Sequence, residues 1–214
     1  MPNTLTLSSL PLFPLGTALF PDGLLPLRIF EVRYLDMIGK CHKAGAPFGV
    51  VALNRGHEVR QPGATEEFAH IGTLATIEAF SNPQPGLMLV RCRGTQRFRI
   101  TQTQQLKHGL WTADVSYMDD DLPAPVPEHL RSTAIALEKL LQTLAQRGLS
   151  AEEMPIRQPA RLDDCGWVAN RWAELLPVAL PIKQNLMALD SPVLRLELVS
   201  DLLARYQIGE ADAP

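Results

Sequence analysis

Cysteine is scarce in this chain of 214 residues, and the three cysteines that occur lie far apart. An odd set without a closely spaced pair, Cys41, Cys92 and Cys165, does not suit a disulfide framework, so a reducing cytoplasm is the expected location. Long apolar runs are also lacking, since no stretch reaches the ~18 apolar residues that a membrane-spanning helix needs. The N-terminus has no positively charged segment ahead of an apolar one, and we predict no signal peptide.

Charge of one sign is not in large excess. The formal net charge is −3, and the chain contains 20% charged and 46% hydrophobic residues. This balance is typical of a soluble globular protein, and it provides no general attraction to nucleic acid or to an anionic membrane. We therefore expect neither as a partner, unless a local basic patch provides the attraction.

Motifs for covalent chemistry are missing as well. The nearest approach to a phosphate-binding loop, "YLDMIGKC" at residues 34–41, has Tyr34 and Cys41 where a glycine and a hydroxyl residue are required. No serine lies in G-x-S-x-G, and neither H-E-x-x-H nor C-x-x-C is present to hold a metal. We predict no catalytic residue, no metal ligand and no cofactor. An enzyme whose residues converge only in three dimensions, for example around His42 or His70, is the remaining catalytic alternative.

The first half of the sequence has the pattern of β-strands. Short apolar or alternating stretches separated by glycine and proline occur at 5–15, 24–30, 48–53, 71–80, 86–94, 95–106 and 110–118. Gly94-Thr95 is expected to be a hairpin turn, and Pro21-Asp22-Gly23 another turn. One helix is predicted from Glu31 to about Lys43, with Gly45 as its stop signal. These features predict a closed or nearly closed antiparallel barrel with one inserted helix.

The pattern changes near three consecutive aspartates, Asp119 to Asp121, which are followed by three prolines. This composition suggests a stiff, solvated linker. Apolar residues at helical spacing then predict four helices, of which the last has Ser191 as its cap and a buried stripe formed by Leu194, Leu198 and Leu202. The predicted domains are a β-barrel, a linker and a helical bundle packed on the barrel, at residues 1–118, 119–127 and 128–208.

Four arginines alternate along the predicted hairpin and could share one face of the sheet: Arg91, Arg93, Arg97 and Arg99. Cys92, between the first two, is expected to face inward. An arginine stripe can bind phosphates, so RNA binding through this face is an alternative function. The competing interpretation is a solvated outer face whose arginines pair with local carboxylates, which the acidic balance of the chain favours.

The opening segment, "LPLFPLGTALFPDGLLPLRIFEVRYLDMI" at residues 10–38, closely resembles the start of the N-terminal, substrate-binding domain of the ATP-dependent protease Lon. "IGTLATIEAF", "GTQRFRI" and the late segment "ELLPVALPIKQNLMALDSPVLRLELVSDLL" extend the resemblance over roughly residues 8–205. The resemblance implies an α+β fold, with a PUA-like antiparallel β pseudo-barrel, one inserted helix and a C-terminal helical bundle. It also implies recognition of polypeptides. The ATPase and Ser–Lys protease modules of Lon are not found, so we expect a stand-alone member that lacks them.

Our hypothesis is therefore a non-enzymatic polypeptide-binding or adaptor module in protein quality control. Its partners would be unfolded or extended polypeptides, or a partner protein, held by an exposed apolar groove and an unpaired strand edge. The candidates for contact with the polypeptide, with core packing as the competing interpretation, are Phe13, Phe20, Leu24 and Tyr34. The candidates for structural ion pairs that pin the predicted helix to the barrel are Arg28, Glu31 and Arg33.

Overall fold

The structure is a computed structural model that describes residues 5–59, 66–150 and 153–208. The chain divides into two compact units, Met1–Asp120 and Asp121–Pro214. The fold is mixed α+β: the described residues form a six-stranded sheet and one helix in the first unit, and helices in the second. Within the described residues, no helix is both long enough and apolar enough to cross a lipid bilayer.

The strands of the first unit pair in a ring. In chain order the elements are β1 (Thr6–Leu15), β2 (Leu24–Ile29), α1 (Val32–Ala44), β3 (Phe48–Arg55), β4 (Glu67–Gln84), β5 (Leu87–Gln105) and β6 (Trp111–Tyr117). Neighbours follow the order β2-β5-β4-β3-β1-β6, and β5 also pairs with β6. Strands β5, β4, β3, β1 and β6 thus form a closed circuit, and β2 is attached to β5. Residues 1–4 and 60–65 of the predicted barrel domain lie outside the described residues.

One strand pair departs from the predicted antiparallel barrel. β1 and β3 run parallel, with Leu12 opposite Gly49 and Leu15 opposite Ala52. A parallel pair needs a crossover connection, which β2 and α1 provide between these two strands. The prediction of an antiparallel barrel is wrong at this pair, because hydrophobic alternation predicts a strand without predicting its direction.

Gly94 lies inside β5, so the hairpin turn predicted there is wrong. Its amide donates to the carbonyl of Gly23, and its carbonyl accepts from the amide of Asp22, both at 2.9 Å. A Cβ at position 94 would overlap the carbonyl oxygen of Phe20. Glycine is required at this position by a close backbone approach and not by a turn. The chain reverses between β4 and β5 at Gly86, whose φ of 80° is left-handed.

Helix α1 confirms the prediction from the sequence. It ends at Gly45, whose φ of 62° lets its amide close the last turn on the carbonyls of Cys41 and His42. The apolar stripe of the helix, which includes Tyr34 and Ile38, lies in a core cluster together with buried residues of β1, β3 and β5. Burial of this stripe holds α1 against the sheet.

In the described residues of the second unit, four α-helices follow a short 3-10 turn, Glu128–Leu130. The helices are α2 (Arg131–Gln146), α3 (Cys165–Leu175), α4 (Leu180–Ala188) and α5 (Pro192–Arg205). Asp164 caps α3 by accepting from the amide of Trp167, and Ser191 caps α5 by accepting from the amide of Leu194. The cap at Ser191 was predicted from the sequence, because short polar side chains satisfy the first free amides of a helix.

The buried face of α5 differs from the predicted one. Leu194 and Leu198 are 43% and 40% exposed, whereas Arg195, Leu196 and Val199 are buried. The predicted stripe is wrong for the two exposed leucines. The buried face of α5 includes a charged residue, Arg195, and it was not predicted because arginine is expected on the solvent side of a helix.

Arg195 is buried because its guanidinium has partners on every side. Both terminal nitrogens pair with the carboxylate of Asp121, one of them also donates to Asn170 Oδ1 at 3.0 Å, and Nε donates to the carbonyl of Leu186 at 3.0 Å. Asp121 is thus fixed to the second unit, and the prediction of a solvated linker is wrong at this residue. A short acidic run is expected to face water, and nothing local in the sequence marks one member as the partner of a distant arginine.

Candidate functional site

The free edge of β2 is a feature that can receive a partner. All six residues of β2 pair with β5, from Leu24 opposite Arg93 to Ile29 opposite Met88. On its other side, β2 pairs with no strand of the described residues. The unpaired N–H and C=O groups of such an edge can hydrogen-bond an added strand. Pro26, which is exposed, offers only its carbonyl to this pairing.

A groove of 280 Å³ borders β2, and we call it the edge groove. Residues 26–31 form one side of it, and Glu58 and Val59 contribute to its lining from the segment after β3. Phe13 and Tyr34 also line it, with their ring centroids 4.1 Å apart. No described residue of β5 lines the edge groove, so it lies away from the paired side of β2. A volume of this size accommodates a few side chains.

A second groove of 600 Å³ lies across β2, β5 and β4, and we call it the face groove. The register of the three paired strands places Arg28 opposite Leu89, and Leu89 opposite Ser81. Residues opposite each other in paired strands point to the same face, so these side chains form one row. Phe80 also lines the groove, and its ring stacks on that of His42 of α1 at 4.2 Å. Pro26, Leu27 and Arg28 line both grooves, which therefore meet along β2.

Two exposed apolar side chains lie next to the free edge. Phe30, directly after β2, is 56% exposed, and Val32, the first residue of α1, is 81% exposed. Exposed apolar residues beside a concave surface are typical of binding sites, whereas single ones elsewhere need no explanation. Neither residue was predicted from the sequence to bind a partner, although both lie in the opening segment at residues 10–38.

Arg33 does not line the edge groove, but it contacts Glu31 and Tyr34, which do. Its Nη1 donates to the carbonyl of Gly109 at 2.8 Å, its Nη2 lies 3.1 Å from Glu66 Oε1, and its Nε lies 3.3 Å from Glu31. Glu66 also accepts from the indole N–H of Trp111 at 2.6 Å. These contacts join the start of α1 to the segments before β4 and before β6. The role of Glu66 was not predicted, since a lone glutamate far along the chain carries no signal of its partner.

The charges of this cluster are fixed by their surroundings. Burial works against the charged form of Arg33, but the hydrogen bond with Glu66 and the nearby negative groups outweigh it and raise the pKa of Arg33. Burial also raises the pKa of Tyr34 above its ordinary value, so Tyr34 is a neutral phenol. The Arg33 guanidinium lies 4.5 Å above the Tyr34 ring. A permanent cation thus supports an uncharged aromatic lining of the groove.

The four residues predicted to contact a polypeptide lie in different places. Phe13 and Tyr34 line the edge groove, although they are only 7% and 2% exposed. Phe20 is fully buried, and Leu24 is half-buried at the first position of β2; neither lines either groove. A ligand can therefore reach Phe13 and Tyr34 only from inside the edge groove. Phe20 exposes no surface that a ligand could contact in this conformation.

Of the three residues predicted to form structural ion pairs, two pair with each other and the third does not. Glu31 and Arg33 pair with each other at 3.3 Å. Arg28 is exposed and lines both grooves, and within the part of the chain that the structure describes no ion pair of Arg28 occurs. Arg28 therefore differs from Arg33 in exposure and in pairing, because Arg33 is buried and forms ion pairs within the fold.

The four arginines of β5 do not share one exposed face. Arg97 is buried and donates to the carbonyl of Asp119 at 3.3 Å, whereas Arg99 is exposed. Arg93 pairs with Asp22, with its Nε 3.1 Å from the carboxylate. The pairing with β4 is irregular between Gly94 and Arg97, and such an irregularity shifts the alternation of side chains along the strand. This arrangement interrupts the predicted stripe.

The three thiols are placed where they have little reactivity. Burial raises the pKa of Cys92 to about 12 and that of Cys165 to about 11, and it also raises the pKa of Cys41. A thiol with a raised pKa is a poor nucleophile at neutral pH. In the described ranges, no group of three or more His, Cys, Asp or Glu side chains is arranged to hold a metal ion. The chemistry that the geometry supports is binding through backbone edges and apolar surfaces.

Comparisons with known proteins agree with this description. The family model of the ATP-dependent protease La (LON) substrate-binding domain matches residues 9–205. The chain is similar to the crystal structure of a Lon N-terminal domain protein from Xanthomonas campestris, with 31% identity, a TM-score of 0.70, and coverage of 91% of this chain and 98% of that chain. The N-terminal domain of the Mycobacterium avium complex Lon protease has a similar fold, with 18% identity, a TM-score of 0.60, and coverage of 92% and 98%. No curated protein matches the chain.

Proposed function

The chain belongs to the family of the ATP-dependent protease La (LON) substrate-binding domain, and from this we propose that it is a non-catalytic module that binds unfolded or extended polypeptides. The observation that carries the proposal is the free edge of β2, with an apolar groove on each side of it. An extended segment adds to β2 as a further strand. Main-chain hydrogen bonds then give affinity, and the grooves receive its side chains.

The remaining parts of the proposal concern setting and architecture. We place the protein in the cytoplasm as an adaptor in protein quality control, in keeping with its three free cysteines. We also regard the ring of strand pairings as a PUA-like pseudo-barrel and the helices of the second unit as a bundle. We do not extend the proposal to RNA, because Arg97 is buried and Arg93 is paired with Asp22, which interrupts the required arginine face.

The proposal is tested by titrating the protein against reduced, carboxymethylated α-lactalbumin that carries a fluorescent label, followed by fluorescence anisotropy. We expect saturable binding, and we expect Val32→Asp to weaken it severalfold because a charge is placed beside the grooves. Leu122→Asp is the matched control, since Leu122 is also 81% exposed and lies in the second unit. No binding at high micromolar concentration, or equal weakening by both variants, would contradict the proposal.

A further inference from the structure

Arg28 occupies the point where the edge groove and the face groove meet. It lies in β2, it is exposed, and it lines both grooves. Among the residues that the structure describes, no carboxylate lies within ion-pairing distance of its guanidinium. An arginine in this state presents a full positive charge to whatever occupies the free edge of β2.

The acidic residues of the edge groove are already engaged in the scaffold. Glu31 pairs with Arg33 at 3.3 Å, and the carboxylate of Glu58 accepts from the backbone amide of Gly16. Both carboxylates have partners of their own, and within the described residues neither lies within ion-pairing distance of Arg28. Arg28 is thus a cation of the groove lining to which none of the described carboxylates is paired, and most of the residues that line the edge groove with it are apolar.

We propose that the polypeptides bound at β2 are extended apolar segments that carry an aspartate or glutamate side chain opposite Arg28. This inference rests on the proposed function and names the class of segment that this site selects. The attraction is charge complementarity between the guanidinium and a side-chain carboxylate, which arginine can bind in bidentate fashion. An acidic residue inside an apolar segment would distinguish such ligands from exposed apolar chains in general.

The pairing geometry defines the pattern of the segment. Arg28 shares a face of the sheet with Leu89, whereas Leu27 and Ile29, the neighbours of Arg28 in β2, point to the opposite face. In an added strand, the acidic residue lies on the face of Arg28 and the residues before and after it lie on the other face. That other face continues into the core, as Ile29 is buried. The expected motif is therefore an acidic residue flanked on both sides by apolar residues.

The carboxylate belongs to an internal side chain and not to a C-terminus. The edge groove extends on both sides of Arg28, from Pro26 at one end to Phe30 and Val59 at the other. A segment that ended opposite Arg28 would leave the apolar surface beyond Arg28 uncovered. A chain that passes Arg28 covers all of it, and this requires the acidic residue to lie within the segment.

The experiment uses the full chain and fluorescein-labelled, C-terminally amidated ten-residue peptides that alternate valine with serine. One central serine is replaced by aspartate, asparagine or lysine, and binding is measured by fluorescence anisotropy. We expect the aspartate peptide to bind about 2- to 5-fold more tightly than the asparagine peptide, as for an exposed ion pair. The preference should diminish at 0.5 M salt, and Arg28→Gln should abolish it, so that the aspartate and asparagine peptides bind this variant with equal affinity.

Two further variants make the assignment specific. Arg99→Gln is the matched control, since Arg99 is an exposed arginine of β5 that lines neither groove, and it should retain the aspartate preference. Arg28→Glu should transfer the preference to the lysine peptide. An aspartate preference that persists in Arg28→Gln overturns the inference, as does tighter binding of an asparagine peptide with a free C-terminal carboxylate.

Failure of the inference is distinguishable from failure of the proposed function. If the asparagine peptide binds the wild-type protein and the aspartate peptide binds no more tightly, the inference alone is wrong. If none of the peptides binds and unfolded α-lactalbumin does not bind either, the proposed function is wrong and the inference falls with it.

Discussion

Arg33 and Glu66 form an ion pair of 3.1 Å in which the two side chains are only 4% and 7% exposed. The pair connects the first turn of α1 to the residue before β4, although 33 positions separate the two residues in sequence. Removal of one member of a buried pair leaves the other charge without compensation, which is more costly than the loss of an exposed pair.

The first prediction concerns this ion pair. Glu66→Gln should lower the free energy of unfolding by about 3 kcal/mol, because Arg33 then stays buried without its main counter-charge. Its neighbour supplies the control: Glu67 pairs with Arg55 at 3.5 Å on the surface, with side chains that are 57% and 75% exposed. Glu67→Gln should cost less than about 1 kcal/mol. Urea denaturation followed by circular dichroism measures both, and equal losses would contradict the assignment.

The second prediction concerns Gly94. A Cβ there overlaps the carbonyl oxygen of Phe20, so Gly94→Ala should destabilise the first unit by about 1–3 kcal/mol or more through forced backbone movement. Gly39→Ala is the control, since a Cβ at this helical position is 3.8 Å from the Met88 side chain, which is ordinary contact. It should stabilise the protein by up to about 1 kcal/mol. Thermal unfolding compares the two, and a neutral Gly94→Ala would show that this close approach can relax.

Local signals in the sequence predicted local structure well. The cap at Ser191 and the stop at Gly45 follow from hydrogen bonds and φ angles set within a few residues. The role of Gly94 could not be predicted in this way. A glycine that permits a turn and a glycine that admits a distant backbone have the same sequence signal, and only the position of Phe20 distinguishes them.

The candidate site was predictable only in part. The opening motif drew attention to Phe13 and Tyr34, and both line the edge groove. The free edge of β2 depends on which strands pair, and pairing between distant segments leaves no mark in either segment alone. Buried charges were the other failure, because Arg195 and Glu66 are surface residues by type and become core residues through their partners.

The third prediction concerns the mode of binding. Two variants of the valine–serine peptide are compared. One carries backbone N-methyl groups on its odd-numbered residues, and the other carries them on its even-numbered residues. Successive N–H groups of a strand point to opposite edges, so one form blocks pairing with β2 and the other does not. We expect one form to lose at least about tenfold in affinity through its lost hydrogen bonds, while the other binds nearly normally. Equal binding of both forms would exclude strand addition.

The fourth prediction concerns the second unit. Asp121→Asn should destabilise this unit by about 3 kcal/mol, because the buried guanidinium of Arg195 loses its counter-charge. Asp120→Asn removes the same charge from the adjacent, exposed position and should have almost no effect. Hydrogen exchange of the α5 amides, read by mass spectrometry, localises the change. If α5 exchanges at the same rate in both variants, the pair with Asp121 does not secure the helix.

The pairing of Thr6 in β1 with Ser116 in β6 has a consequence for synthesis on the ribosome. β1 emerges first, but its β6 neighbour follows roughly 110 residues later, which takes about 5–20 s at common rates of translation. During that interval one side of β1 is open to other nascent chains. Pro11 lies opposite Thr112 of β6 and has no backbone N–H to offer to another strand. It therefore leaves the newborn strand one donor fewer for premature pairing until β6 completes the ring of strand pairings.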